Sequence, residues 1–262
     1  MVVTTSAVCA QNVSADELSV SPYDARFEQN VRHESARLIS EDAEVRRDAV
    51  LRLGWMERPE SSRAAARALT DPSEFVRAAA TQAVLSLPPD EALSVLLPVF
   101  GDKKPFVRQE AAFALGKGRF TSAVPTLVNL MQTDEYLHVR AAAAVALGQI
   151  GDASAVDALS AALKGVAEGK LRDKEKTEFE FLRRSAAVGL GLIGSRAGVP
   201  ALIDALGRAT EPDDVRRECA RALGLIADPS SATALRAVLQ DRDPYLSRLA
   251  QDALDRINLN KT

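Results

Sequence analysis

One block of thirteen residues recurs along the chain, and its repetition limits the possible folds more than any other property. Its central copy reads Val139-Arg-Ala-Ala-Ala-Ala-Val-Ala-Leu-Gly-Gln-Ile-Gly151. Relatives begin at Val45, Val76, Val107, Leu182, Val215 and Leu246, with spacings of 31, 31, 32, 43, 33 and 31 residues. Such a period marks one supersecondary unit that hides its apolar face only by stacking on its neighbours.

Each block predicts a helix. With the first residue numbered 0, apolar or alanine side chains fall at 0, +4, +7, +8 and +11, a single helical stripe. In the central copy these are Val139, Ala143, Ala146, Leu147 and Ile150. A second amphipathic segment precedes each block, at residues 123–131, 155–163, 199–206 and 232–239. Asp152, Ser195 and Asp228 can cap helix starts, and Pro229 suits a first turn. Turn signals lie between the two helices at Asp71-Pro72, Gly101-Asp102, Thr133-Asp134 and the stretch from Asp241 to Pro244.

Composition agrees. Alanine supplies 45 of 262 residues, against three Tyr and one Trp, which argues against a β-sandwich or barrel. The expected fold is all-α: a right-handed α-solenoid of about seven helix-turn-helix repeats, with its end helices as caps. The units fall at about residues 21–57, 58–88, 89–119, 120–151, 152–194, 195–227 and 228–259, and residues 260–262 form a short tail. The fifth unit accounts for the long spacing through an insertion at 165–178, rich in charges of both signs. That insertion is either a functional loop on one edge or a solvated extension of one helix.

Residues 1–20 read differently. Small residues at Val8 and Ala10 resemble the end of a secretory signal peptide cleaved after Ala10; the other reading is a disordered tail. The chain is therefore compatible with export or with a cytoplasmic location. No later segment approaches the ~18 apolar residues of a membrane span.

The pattern x-D-x-x-x-x-V-R-x-x-A-A-x-A-L-G-x-I-G resembles the short HEAT-like repeat named after phycobilisome lyases, an armadillo-like motif, over residues 22–258. The resemblance implies a stacked scaffold. It also implies that Asp71, Asp102, Asp134 and Asp241 form a structural ladder with the arginine column. That column is Arg46, Arg77, Arg108, Arg140, Arg183 and Arg216, with Ser247 departing in the last repeat.

Positions +2, +6 and +9 are expected opposite the core stripe, with +10 on the flank. The second helix commonly lines the concave surface of a solenoid, where partners bind. There the middle repeats place Phe113, Val145, Val188 and Leu192, and the last three place Arg184, Arg217, Arg221 and Arg248. This predicts a groove for another protein or an extended peptide, apolar in the middle and basic at one end. The alternative is a tight superhelix in which these side chains pack on each other. Trp55 is either an anchor in the groove or a core residue.

Chemistry finds little support. Net charge is −3, with 33 basic and 36 acidic residues, which argues against a nucleic-acid binder. Two Cys and two His support neither a disulfide framework nor zinc. Cys219 falls in the +4 alanine column, a buried small position rather than a nucleophile. Among HEAT-like proteins, deoxyhypusine hydroxylase binds iron through several His-Glu pairs, whereas this chain has one, His33-Glu34. No P-loop, dinucleotide fingerprint or nucleophile elbow occurs. The expectation is a non-catalytic scaffold without a cofactor or metal. The rivals are a subunit of a phycobilin-lyase-like enzyme and a nucleic-acid-binding solenoid.

Overall fold

A computed structural model describes residues 22–165 and 173–259. The N-terminal tail, most of the insertion and residues 260–262 lie outside the described residues. Within them, fourteen α-helices follow one another in seven pairs, with no strand. The first helices of the pairs are α1 (Pro22–Arg37), α3 (Pro59–Ala66), α5 (Pro89–Leu96) and α7 (Val124–Thr133). They continue with α9 (Val156–Lys164), α11 (Val199–Gly207) and α13 (Ala232–Ala237). The second helices are α2 (Ala43–Trp55), α4 (Glu74–Ala83), α6 (Pro105–Lys117) and α8 (Leu137–Ile150). They continue with α10 (Asp173–Ile193), α12 (Asp213–Ile226) and α14 (Pro244–Leu259). The chain is an α-solenoid.

The core stripe of the second helices is buried as its spacing requires, except in α2, where position +7 is the exposed Arg52. Val139, Ala143, Ala146 and Leu147 are inaccessible, and Ile150 nearly so. The side chains of Asp152, Ser195 and Asp228 accept from the backbone N–H two residues on, at 2.8, 3.3 and 2.8 Å. What they start is a short 3₁₀ turn, at Ala153–Ala155, Arg196–Gly198 and Pro229–Ser231, which then leads into the α-helix. α10 is 21 residues long, so the part of the insertion from Asp173 onward lengthens the second helix of its repeat.

Glycine controls how the repeats meet. A Cβ on Gly54, Gly116, Gly148, Gly191 or Gly224, all at position +9, would come within 2.5–3.0 Å of Ala83, Ala146, Gly189, Ala222 or Ala253. Those partners all occupy position +7 of the following repeat. The +9 column therefore does not share the free face, as the helical wheel suggested; it forms a seam between successive repeats. Along that seam neighbouring second helices pack over much of their length, while neighbouring first helices touch sparsely. The second helices are therefore the closely packed side of the stack.

The residue at +12 ends five second helices in the left-handed region. Gly151 (φ 80°) and Gly194 (φ 71°) adopt it without strain, whereas Glu57, Arg119 and Ala227 carry a Cβ there at φ 51–53°. Ala227→Gly relieves that strain and should stabilise the protein by about 0.5–1 kcal/mol, raising the thermal midpoint by roughly 1–3 °C. A midpoint that is unchanged or lower in a circular-dichroism melt contradicts this assignment.

Candidate protein-binding face

Three sides of each internal second helix, α4 to α12, are occupied: one by its own first helix and two by the neighbouring repeats. One side is left, and the helical spacing places positions −1, +2, +6 and +10 on it. Among the described residues, eleven large apolar side chains are exposed. Tyr23 and Ile39 belong to the first repeat and Leu259 ends the described chain. The other eight all lie on second helices or immediately before one: Trp55, Phe75, Phe106, Tyr136, Phe181, Leu192, Leu225 and Tyr245.

They form two rows. Phe75, Phe106, Phe181 and Tyr245 stand at −1, the first, second and fourth at the N-terminal ends of α4, α6 and α14 and Phe181 within the longer α10. The Phe75 and Phe106 rings are 6.1 Å apart. At α8 the corresponding place is held by His138, with Tyr136 against it at 5.6 Å. Trp55, Leu192 and Leu225 form the other row at +10, exposed by 72, 49 and 48 %. Between the rows, Phe113, Val145 and Val188 at +6 are half-buried, and Phe113 leans onto the core. Trp55, for which the sequence left a core position open, lies on the surface.

Arg184, Arg217, Arg221 and Arg248 converge on one cleft of about 410 Å³ between α10, α12 and α14. Asp214, Glu218 and Asp252 share its walls with Tyr245 and Leu249. Arg217 is held from two sides, donating to Asp243 at 2.6 Å and Asp214 at 2.8 Å, with its guanidinium over the Tyr245 ring. The hydrogen bond from Arg217 holds the Asp243 carboxyl below the usual carboxylate range, against the opposing effect of burial. Arg184 lies over Phe181 and 3.9 Å from Asp214, and Arg221 lies 3.4 Å from Glu218. Among the described residues, no carboxylate comes within ion-pair distance of Arg248.

The HEAT-repeat family model matches residues 34–115, 93–174 and 170–255. The chain belongs to the HEAT-repeat family. No curated protein matches it in sequence. Among solved structures it is similar to the complex of CpcE and CpcF of phycocyanin lyase from Nostoc sp. Identity there is 18 %, with a TM-score of 0.52 over 97 % of this chain and 100 % of that one. It is also similar to human deoxyhypusine hydroxylase in complex with glycerol, at 22 % identity and a TM-score of 0.44, over 90 % and 99 %. A designed armadillo repeat protein matches at 16 % identity and a TM-score of 0.42, over 87 % and 100 %. At such identities the likeness shows the fold alone.

The HEAT repeats are tied together at the edge where the turns lie. Arg46 grips Asp71 through two hydrogen bonds of 2.7 and 2.8 Å, and Arg77 grips Asp102 at 2.6 and 2.9 Å. Arg108 grips Asp134 at 2.7 and 2.9 Å. Each acid belongs to the repeat after its arginine. The Arg46, Arg77 and Arg108 side chains also donate to a carbonyl in their own turn, from Ser40, Asp71 and Asp102 at 2.8 Å. Each of these acids accepts the N–H two residues on, from Ser73, Lys104 and Tyr136. Arg216 reaches Asp241 at 2.7 Å, and Arg183 meets buried Glu211, one position later than the usual acid.

Arg140 departs from this ladder. Thr177 stands five residues before Leu182, where Asp71, Asp102, Asp134 and Asp241 stand in their repeats, and Arg140 donates to the Met131 carbonyl at 2.6 Å instead. Burial lowers its pKa from the ordinary value. In the last repeat the Ser247 hydroxyl lies 3.3–3.4 Å from the carbonyls of Val238, Asp241 and Asp243.

The chemically reactive residue types lie apart. Cys219 is buried in the core, and burial pushes its thiol far above the usual range. His33 is exposed beside Glu34, 4.0 Å away, while His138 is on the free face of α8. Among the described residues no three His, Cys, Asp or Glu side chains are placed to hold a metal ion. No described helix is long and apolar enough to cross a membrane.

Burial alone would raise the Asp71 and Asp102 carboxyls, but Arg46 or Arg77 and the capped N–H outweigh it and hold both below the ordinary carboxylate value. The hydrogen bond from Arg216 lowers Asp241. Groups lowered in this way stabilise fully above the unfolded value near ~4, and that stability is lost as the pH falls further through their folded values. Asp102→Asn should cost roughly 2–4 kcal/mol at pH 7, because buried Arg77 loses its carboxylate, and should flatten the acid limb. Thermal midpoints measured from pH 7 to pH 2.5 check this; equal midpoints for variant and wild type at pH 7 contradict it.

Proposed function

We propose that this HEAT-repeat protein is a non-catalytic scaffold that binds another protein or a peptide on the free face of its second helices. One observation carries the reading: away from the ends of the stack, every described exposed large apolar side chain lies on that face or at its edge. Scattered exposed apolar residues are ordinary, but their confinement to one face of seven helices is what an interaction surface requires. The ridge of Phe113, Val145, Val188 and Leu192, with Trp55 at one end and the arginine cleft at the other, supplies buried contact and orientation. The phycocyanin lyase relative is a complex of CpcE and CpcF, which supports a protein as the partner.

Leu192→Glu/Leu225→Glu is the test pair, because both side chains are exposed and the charges enter water rather than core. Circular dichroism should show equal helicity for variant and wild type. Affinity capture from the native host should recover a defined protein with the wild type and lose it with the variant. Recovery of the same protein at the same yield by both overturns the reading.

A further inference from the structure

The shape of this face also selects the form of its occupant, an inference that rests on the scaffold reading above. The −1 and +10 rows are eleven residues apart along each second helix, which is about 16 Å at a rise of ~1.5 Å per residue. A single extended strand or a polyproline segment would leave most of that width empty. An α-helix with its side chains is about 10–12 Å across and covers roughly two-thirds of it.

The floor is graded along the stack. Across α6, α8 and α10 it presents Phe113, Val145 and Val188, with Leu192 at the rim. Across α10, α12 and α14 it presents Arg184, Arg217, Arg221 and Arg248, with Asp214, Glu218 and Asp252 among them. Asp214 and Glu218 hold three of these arginines in place, and Arg248 stands without a carboxylate partner among the described residues. Tyr245 and Leu249 give the same cleft an apolar wall.

We propose that this trough seats an amphipathic α-helix of a partner protein, apolar along one face and acidic toward its C-terminal end. The helix lies along the stack and crosses the second helices. Its apolar stripe rests on Phe113, Val145 and Val188 between the aromatic row and the leucines, the arrangement of helix-in-groove recognition. Its acidic end, carrying the negative pole of the helix dipole, lies over the arginine cleft. Neighbouring helices of a stack are about 8–10 Å apart, so the four steps from α6 to α14 match a helix of roughly 24 residues.

The probes are fluorescein-labelled 24-residue peptides built on a leucine stripe at i, i+3, i+4 and i+7, with Ala and Gln elsewhere. One carries Glu in its last two turns, one carries Lys there, and one repeats the Glu peptide with two central prolines. The full-length protein is titrated against each and binding is read by anisotropy. The Glu-ended helix should bind about tenfold tighter than the Lys-ended one at low salt, and the proline-broken peptide should bind at least tenfold more weakly than its parent. Arg221→Glu/Arg248→Glu changes two exposed side chains and should reverse the charge preference with unchanged helicity.

Equal binding of the broken and intact peptides overturns the helical occupant, while leaving the scaffold reading to stand or fall on the Leu192→Glu/Leu225→Glu capture. A charge preference that the arginine variant does not move overturns the assigned orientation. Failure of all three peptides to bind overturns the proposal as a whole.

Discussion

The shape of this protein depends on how closely its second helices approach one another. A Cβ on Gly148 would come within 2.5 Å of the Gly189 backbone, and the other +9 glycines meet alanine almost as tightly. At these five positions a larger residue would push two repeats apart, whereas the second repeat carries Leu85 in the same column. The first helices carry no equivalent seam and touch one another sparsely. The packing leaves one side of the second helices that no element of the described chain covers.

The Asp and Arg columns do a different job at the turn edge. Arg46, Arg77 and Arg108 each bond to their own turn and to the aspartate of the next repeat, so one side chain sets both the local cap and the register of the stack. Buried pairs of this kind add less stability than specificity: removing one partner is costly, while the intact pair chiefly excludes other arrangements. The fifth repeat shows what a change of spacing does. Arg140 is left to a backbone carbonyl, and the adjoining second helix is the longest of the described helices. A nearest-neighbour stack accepts such a local change because the other interfaces do not sense it.

Most of the fold was legible in the residues. Val139, Ala143, Ala146, Leu147 and Ile150 announced a buried stripe, and the recurrence of that stripe announced the stack. The +9 glycines were misplaced because a helical wheel with one core stripe has one opposite face, whereas a solenoid helix is packed on three sides. The aromatic row at Phe75, Phe106, Phe181 and Tyr245 was missed because each lies one residue before the recurring block. Reading that column down the repeats would have found it. The arginine cleft was half visible: helical spacing put Arg184, Arg217, Arg221 and Arg248 on one face, but not the depth of the cleft or the carboxylates that hold them.

The central claim is that the face left open by the packing of the second helices is where a partner sits. Hydroxyl-radical footprinting of the intact protein, alone and with its captured partner, tests it side chain by side chain. The account predicts that Phe75, Phe106, Phe181, Leu192 and Tyr245 lose reactivity when the partner is added, while Tyr23 on α1 and Val95 and Val128 on the outer helices keep theirs. Protection that falls on the outer helices and spares the aromatic row and Leu192 would contradict it.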